Sequence, residues 1–242
     1  MKLQIIGQDS LARATSECCA KVGWFTLTTE DPDILWVCYD TPIVLDDKPD
    51  VDWVVEEIGK NLPTSTRTLI LVSSQVPVGT TARLEALYPG YVFAHSPENI
   101  RVATAVEDFQ NQSRIVVGIR TDKFRGLVDE LLFPFTAKII YTDPETAEMC
   151  KHALNCYLGL NIAFINEVAR ICAQVGADAS VVSQALKLDP RVSPKAPLKP
   201  GAPFGGGHLA RDIYTISQIG KKLGIPTPII SHIKESNEVK SN

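Results

Sequence analysis

Within one short stretch the chain carries Phe204, Gly205, Gly206, Gly207, His208, Arg211 and Asp212. An imidazole titrates near neutral pH, so His208 is of a type suited to general base work. Elsewhere Lys151 and Asn155 stand one helical turn apart, and Glu98 follows Pro97. A lysine near developing negative charge and a buried carboxylate can together stabilise an alkoxide and move protons. Each residue also has a plain structural reading. Lys151 and Asn155 would form a polar stripe on a long helix, Glu98 a loop or cap carboxylate, and Asp212 the acidic first turn of a helix. The glycines Gly205-Gly207 lie between a proline-rich loop and a short helix, away from any strand, which argues against a phosphate cradle there.

The elements that must position these residues follow from periodicity. Apolar runs at Leu3-Ile6, Ile34-Tyr39, Thr68-Ser73, Tyr91-Ala94, Arg114-Gly118 and Lys138-Tyr141 alternate with helical patterns at Ser10-Val22, Val51-Asn61, Thr80-Tyr88 and Lys123-Phe133. That alternation predicts α/β architecture, a parallel sheet covered by helices over residues 1–143. Asp143-Pro144 reads as an N-cap with proline in the first turn, opening a helix that runs to Gly176, a good C′ residue. At about 1.5 Å per residue it spans about 48 Å. Its middle, Cys156 to Ile165, is apolar almost all round, so one small domain could not bury it alone. Shorter helices at about 179–187 and 210–223 complete an all-helical region over 144–242, whose polar tail from Glu235 is expected to fray.

The order and spacing of these blocks resemble the nucleotide-sugar dehydrogenases, the UDP-glucose/GDP-mannose dehydrogenase family. The resemblance rests on Val72-Ser-Ser-Gln-Val-Pro-Val-Gly-Thr-Thr81, on His95-Ser-Pro-Glu98 with Ala105-Val-Glu-Asp-Phe109 and Arg114-Ile-Val-Val-Gly118, on Thr146-Ala-Glu-Met-Cys-Lys151 through Asn155 to Phe164-Ile-Asn-Glu167, and on Phe204 to Asp212. It implies a Rossmann-like domain followed by a helical domain that dimerises through the long helix. It implies catalytic positions at Glu98, Lys151, Asn155, His208 and Asp212. Gly7, Gln75 and Arg211 fall on the cofactor side, and Arg191, Lys199, Phe204 and Gly205 on the substrate side, where the fork of Arg191 suits phosphate recognition. The chain ends near Asn237-Glu238, where the family's middle domain finishes, so the nucleotide-binding third domain is not expected within it.

Departures from the family pattern are equally specific. His208 stands in place of the nucleophilic cysteine, Gln75 replaces a threonine, and Val102 replaces a glutamate. In the family the thiolate captures an aldehyde and carries it to a thioester, which an imidazole cannot readily do. In the first turn, Gly7-Gln8-Asp9-Ser10-Leu11-Ala12, only Gly7 remains of G-x-G-x-x-G, and Asp9 sets a carboxylate where phosphates would lie. Phe25-Thr29 could be the second strand, with Glu30 or Asp31 as the ribose acid, yet four residues separate it from Ile34. A parallel crossover needs about a dozen, so the two runs cannot be neighbours and the adenosine-binding edge is expected to be missing. NAD binding is accordingly expected to be weak or lost.

Two functional readings follow. One is a divergent NAD-linked oxidoreductase on a nucleotide sugar or related sugar alcohol, limited to one two-electron step. The other is a non-catalytic dimeric binding or regulatory protein that retains the fold. A net charge of −4 and the absence of a basic run argue against nucleic acid. No apolar run is read as approaching a membrane span and none as a signal segment, so a cytoplasmic homodimer is expected. The cysteines form no C-x-x-C pair and the histidines show no ligand spacing, so reduced, buried thiols and no metal site are expected.

Overall fold

A computed structural model describes residues 1–44, 47–205 and 207–239, apart from the side chain of Val102. Gly206 of the tandem glycines and the last three residues of the polar tail lie outside the described residues. Two compact units divide the chain, residues 1–42 with 49–151 and residues 43–48 with 152–242.

The first unit is built on a seven-stranded sheet of order β2-β1-β3-β4-β5-β6-β7. Its strands are β1 (Lys2–Ile6), β2 (Thr26–Leu27), β3 (Ile34–Val37), β4 (Leu69–Val72), β5 (Val92–His95), β6 (Ile115–Ile119) and β7 (Ile139–Thr142). Every residue of β3 and β4 is buried, as strands covered on both faces must be. Their alternation divides the core. Ile34, Trp36, Leu69 and Leu71 join the cluster against α1 (Ser10–Val22), and Leu35, Val37, Ile70 and Val72 join the cluster against α2 (Val51–Lys60).

Two features depart from the expected sheet. β2 and β3 are not neighbours, as the short spacing requires, but both pair in parallel with β1, which lies between them. The adenosine-side edge is therefore reduced to a two-residue stub rather than lost. β5 and β6 are antiparallel, within a sheet whose other pairs are parallel. The connection between them, residues 96–114, carries one short helix, α4 (Ala105–Gln110), and β6 re-enters the sheet from the end at which β5 leaves it. Two further helices belong to this unit, α3 (Thr80–Leu87) and α5 (Arg125–Leu132).

Helix α6 (Pro144–Val175) begins in the first unit and continues in the second. Its limits match the expectation from local chemistry: the Asp143 carboxylate accepts from the Thr146 amide at 2.8 Å, and Gly176 ends the helix at φ +74°, where a side chain would be strained. Among the described residues α6 alone is long and apolar enough to pass a length and composition test for a membrane span, a test that packed helices of water-soluble proteins also pass.

The second unit holds the rest of α6 with α7 (Ala179–Leu188), α8 (Gly207–Leu223) and α9 (Pro228–Glu238). Its apolar clusters are small, one of Cys156, Ala163, Ile213 and Ile233 and another of Ile165, Ala196 and Leu198. Glu235 to Glu238 lie in the last turn of α9, where the Asn237 side chain accepts from the Phe204 amide and donates to the Phe204 carbonyl at 2.8 and 3.0 Å.

Candidate active site

The first group of candidate residues surrounds the turn from β1 to α1. Gly7 has φ +138°, and a Cβ there would lie 2.4 Å from the Cys38 carbonyl oxygen, so this position is closed to any other residue. Asp9 caps α1: one carboxylate oxygen accepts from the Leu11 and Ala12 amides at 2.8 and 3.2 Å, and the other accepts from the Asp40 amide. Gln75 is buried after β4, its carbonyl accepting from the Thr41 hydroxyl at 2.6 Å.

These residues fit a dinucleotide poorly. The helix-start amides that would receive a pyrophosphate are already bonded to a carboxylate. The turn bearing Glu30 and Asp31 is anchored at both ends on Lys2 and Leu3. That level is four residues, about 13 Å, along β1 from Gly7, whereas a ribose acid belongs near the glycine turn.

A second group joins the loop after β5 to the start of α6. Lys151 Nζ donates to Glu98 Oε1 at 3.2 Å, both side chains being largely buried, and Glu98 Oε2 accepts from the Ile100 amide at 2.7 Å. One turn earlier on α6, fully buried Glu148 accepts from the Gly79 and Thr81 amides and the Thr81 hydroxyl at 2.6, 2.8 and 2.7 Å. This bracing at the start of α3 fixes the turn from which Lys151 projects. Burial pushes the Glu148 carboxyl upward, and the three donors oppose it.

In the second unit, Asp212 lies in the second turn of α8 and not in an acidic first turn; it is fully buried and is held from α6 by His152 Nδ1 at 2.6 Å and by the Asn155 amide. His208 is exposed, and its Nδ1 lies 3.1 Å from Nη2 of the buried Arg211. A guanidinium only donates, so Nδ1 accepts and the ring proton rests on Nε2. The structure thus brings Asn155 to Asp212 and His208 to Arg211. The substrate-side candidates are dispersed: Arg191 spends its fork on Asp189 at 2.9 and 2.8 Å, Lys199 is exposed in a loop, Gly205 has open space around it, and Phe204 packs on the Cys156 cluster.

Sequence reasoning missed His152 and Glu148 as site residues. His152 lies between Lys151 and Asn155 and three residues before the latter, and Glu148 lies three residues before Lys151, so helical spacing from the chosen residues was the available signal.

Residues 10–136 match the profile of the UDP-glucose/GDP-mannose dehydrogenase family's NAD binding domain, and residues 145–239 match that of its central domain. The chain belongs to this family. Among relatives of the dehydrogenase family, it is 34% identical over 216 residues to the UDP-glucose 6-dehydrogenase TuaD of Bacillus subtilis, covering 85% of this chain and 46% of that one. It is 31% identical over 217 residues to the UDP-glucose 6-dehydrogenase of Rickettsia bellii, covering 86% and 50%. The chain therefore spans about half the length of the curated relatives it matches. Among solved structures, a UDP-glucose dehydrogenase from Pyrobaculum islandicum superposes with a TM-score of 0.84 at 23% identity, over 98% of this chain and 68% of that one. A UDP-D-ManNAc dehydrogenase from Pyrococcus horikoshii gives 0.83 at 20%, with the same coverage. These likenesses establish a Rossmann-like dehydrogenase fold.

Five of the six described cysteines are buried, Cys150 on α6 being partly exposed. Cys18, Cys19, Cys38, Cys156 and Cys172 are buried, and burial pushes the Cys19 and Cys156 thiols up to about 12, far from the thiolate a nucleophile requires.

Proposed function

We propose that this chain is a dimeric binding or regulatory member of the dehydrogenase family that does not carry a sugar alcohol to an acid. The observation that carries this reading is His208 in the nucleophile's position, its Nδ1 lone pair engaged by Arg211. An imidazole adduct on an aldehyde is a poor equivalent of a thiohemiacetal, and a ring nitrogen already accepting from a guanidinium is not poised to take a proton. NAD binding is weak or absent, and the ligand class retained is a phosphorylated or nucleotide sugar. The proposed domains are residues 1–143, dinucleotide-binding in type, and residues 144–242, helical, with the boundary at the start of α6.

Homodimerisation runs through α6. Tyr157, Phe164 and Ile171 recur every seven residues with Leu160 and Val175 beside them, all exposed, which makes an apolar stripe of the kind a second copy covers.

A second reading, a single two-electron oxidation or reduction, draws on the buried Glu98–Lys151 pair, which is suited to stabilising an alkoxide. Steady-state assays of the wild type and His208→Cys with UDP-glucose and excess NAD separate the readings. No NADH from either protein is expected. One NADH per sugar from the wild type would establish the second reading, and two would overturn both.

A further inference from the structure

We propose that Asp9 is a built-in occupant of the anion site at the start of α1, closing the cofactor turn of this chain against diphosphate groups. The proposal is independent of the chemistry of His208. The first amides of an α-helix have no partner within the helix, and together with the helix dipole they attract anions. In a dinucleotide-binding unit this end of the first helix receives the pyrophosphate. Here the Leu11 and Ala12 amides donate to one Asp9 oxygen at 2.8 and 3.2 Å. The other oxygen accepts from the Asp40 amide, so the same carboxylate ties the turn after β1 to the loop after β3. Both turns lie at the carboxyl ends of adjacent parallel strands, the edge where open α/β sheets bind their ligands.

Asp9 stands where the dinucleotide fingerprint has its second glycine, the one that lets the backbone approach a pyrophosphate. Gly7 keeps the conformation and tight contact with Cys38 that exclude a side chain. The turn therefore keeps the glycine that its own packing requires and supplies the anion from its own sequence. An incoming diphosphate must displace Asp9 from three amides and then lie beside its charge.

The test compares the full chain with Asp9→Gly and Asp9→Ser, using inorganic pyrophosphate and NAD as probes. Calorimetry measures affinity, and amide NMR follows Leu11, Ala12 and Asp40. Glycine is tolerated at a helix N-cap, and serine keeps a neutral cap, so at least one variant remains folded. Asp9→Gly is expected to bind pyrophosphate at least tenfold more tightly than the wild type, with shifts at the Leu11 and Ala12 amides, and Asp9→Ser to show a smaller gain. Equal affinity in the wild type and the folded variants would overturn the proposal, as would pyrophosphate-induced shifts at these amides in the wild type. Because the readout is binding, a chain reopened in this way that still produces no NADH would support this inference and leave the reading of His208 intact.

Discussion

The two units bury their charged groups in opposite circumstances. In the first, apolar clusters cover both faces of the sheet, and carboxylates such as Asp9 and Glu148 sit at helix starts, where each satisfies backbone amides. In the second, the apolar clusters are small, while Arg211, Asp212 and His152 are buried together with Asn155. Where apolar burial is extensive, these carboxylates act as local caps beside a single largely buried ion pair, Lys151–Glu98. Where it is slight, the polar pairs and any apolar face covered by a second copy carry much of the stability.

The most severe way to break this comparison is Asp212→Ala. It leaves His152 and Asn155 buried without their acceptor, and a loss of about 3–5 kcal/mol is expected. Urea denaturation followed by tryptophan fluorescence and circular dichroism measures it, and a loss below about 1 kcal/mol would show that the second unit does not depend on its polar pairs. Next comes Phe164→Glu, which places a charge in the exposed stripe of α6. The dimer dissociation constant is expected to rise about 100-fold, equivalent to about 2.7 kcal/mol. Sedimentation of a wild-type protein that stays monomeric and folded would remove the dimer from the account.

Glu148→Ala probes the first unit, where the Gly79 and Thr81 amides would lose their acceptor. About 2 kcal/mol is expected, less than for Asp212, because the surrounding sheet core remains. A loss larger than that of Asp212→Ala would reverse the ranking of the two units.

The smallest effect belongs to Asp108. Hydrogen bonds from the Arg101 guanidinium hold its carboxyl well below the usual carboxylate range, with the Arg101 amide and the Thr104 hydroxyl adding to this against the opposing effect of burial. Because the folded-state value is depressed, the stabilisation is present above the unfolded value near 4 and is lost as pH falls through the folded value. Arg101 is exposed, so solvent screening limits the effect to below about 1 kcal/mol. Asp108→Asn should therefore lower the urea midpoint slightly at pH 7, and the difference should shrink under increasingly acid conditions.

Much of the frame was legible in the sequence because its signals are local. The apolar run Ile34-Leu35-Trp36-Val37 specified a strand buried on both faces, and Asp143 with Pro144 at one end and Gly176 at the other bounded the 32 residues of α6. Short polar elements were harder to see. Helix α9 is announced only by Pro228 in its first turn, and the antiparallel step at β6 has no local signal in the apolar run that forms the strand.

By itself, the sequence determined the family, the sequence of strands and helices, and the substitutions at Asp9, Gln75 and His208, since each is a matter of residue type and spacing along the chain. Only the tertiary structure decided what those residues touch. His152 meets Asp212 from 60 positions away, Glu148 reaches Gly79 from 69, and Asp9 bonds to the Asp40 amide from 31. Such partners are chosen by how helices pack and strands order, and no local periodicity encodes them. The same carboxylate that reads along the chain as repulsive to a phosphate proves, once β1 and β3 lie side by side, to be the ligand of the amides that a phosphate would need.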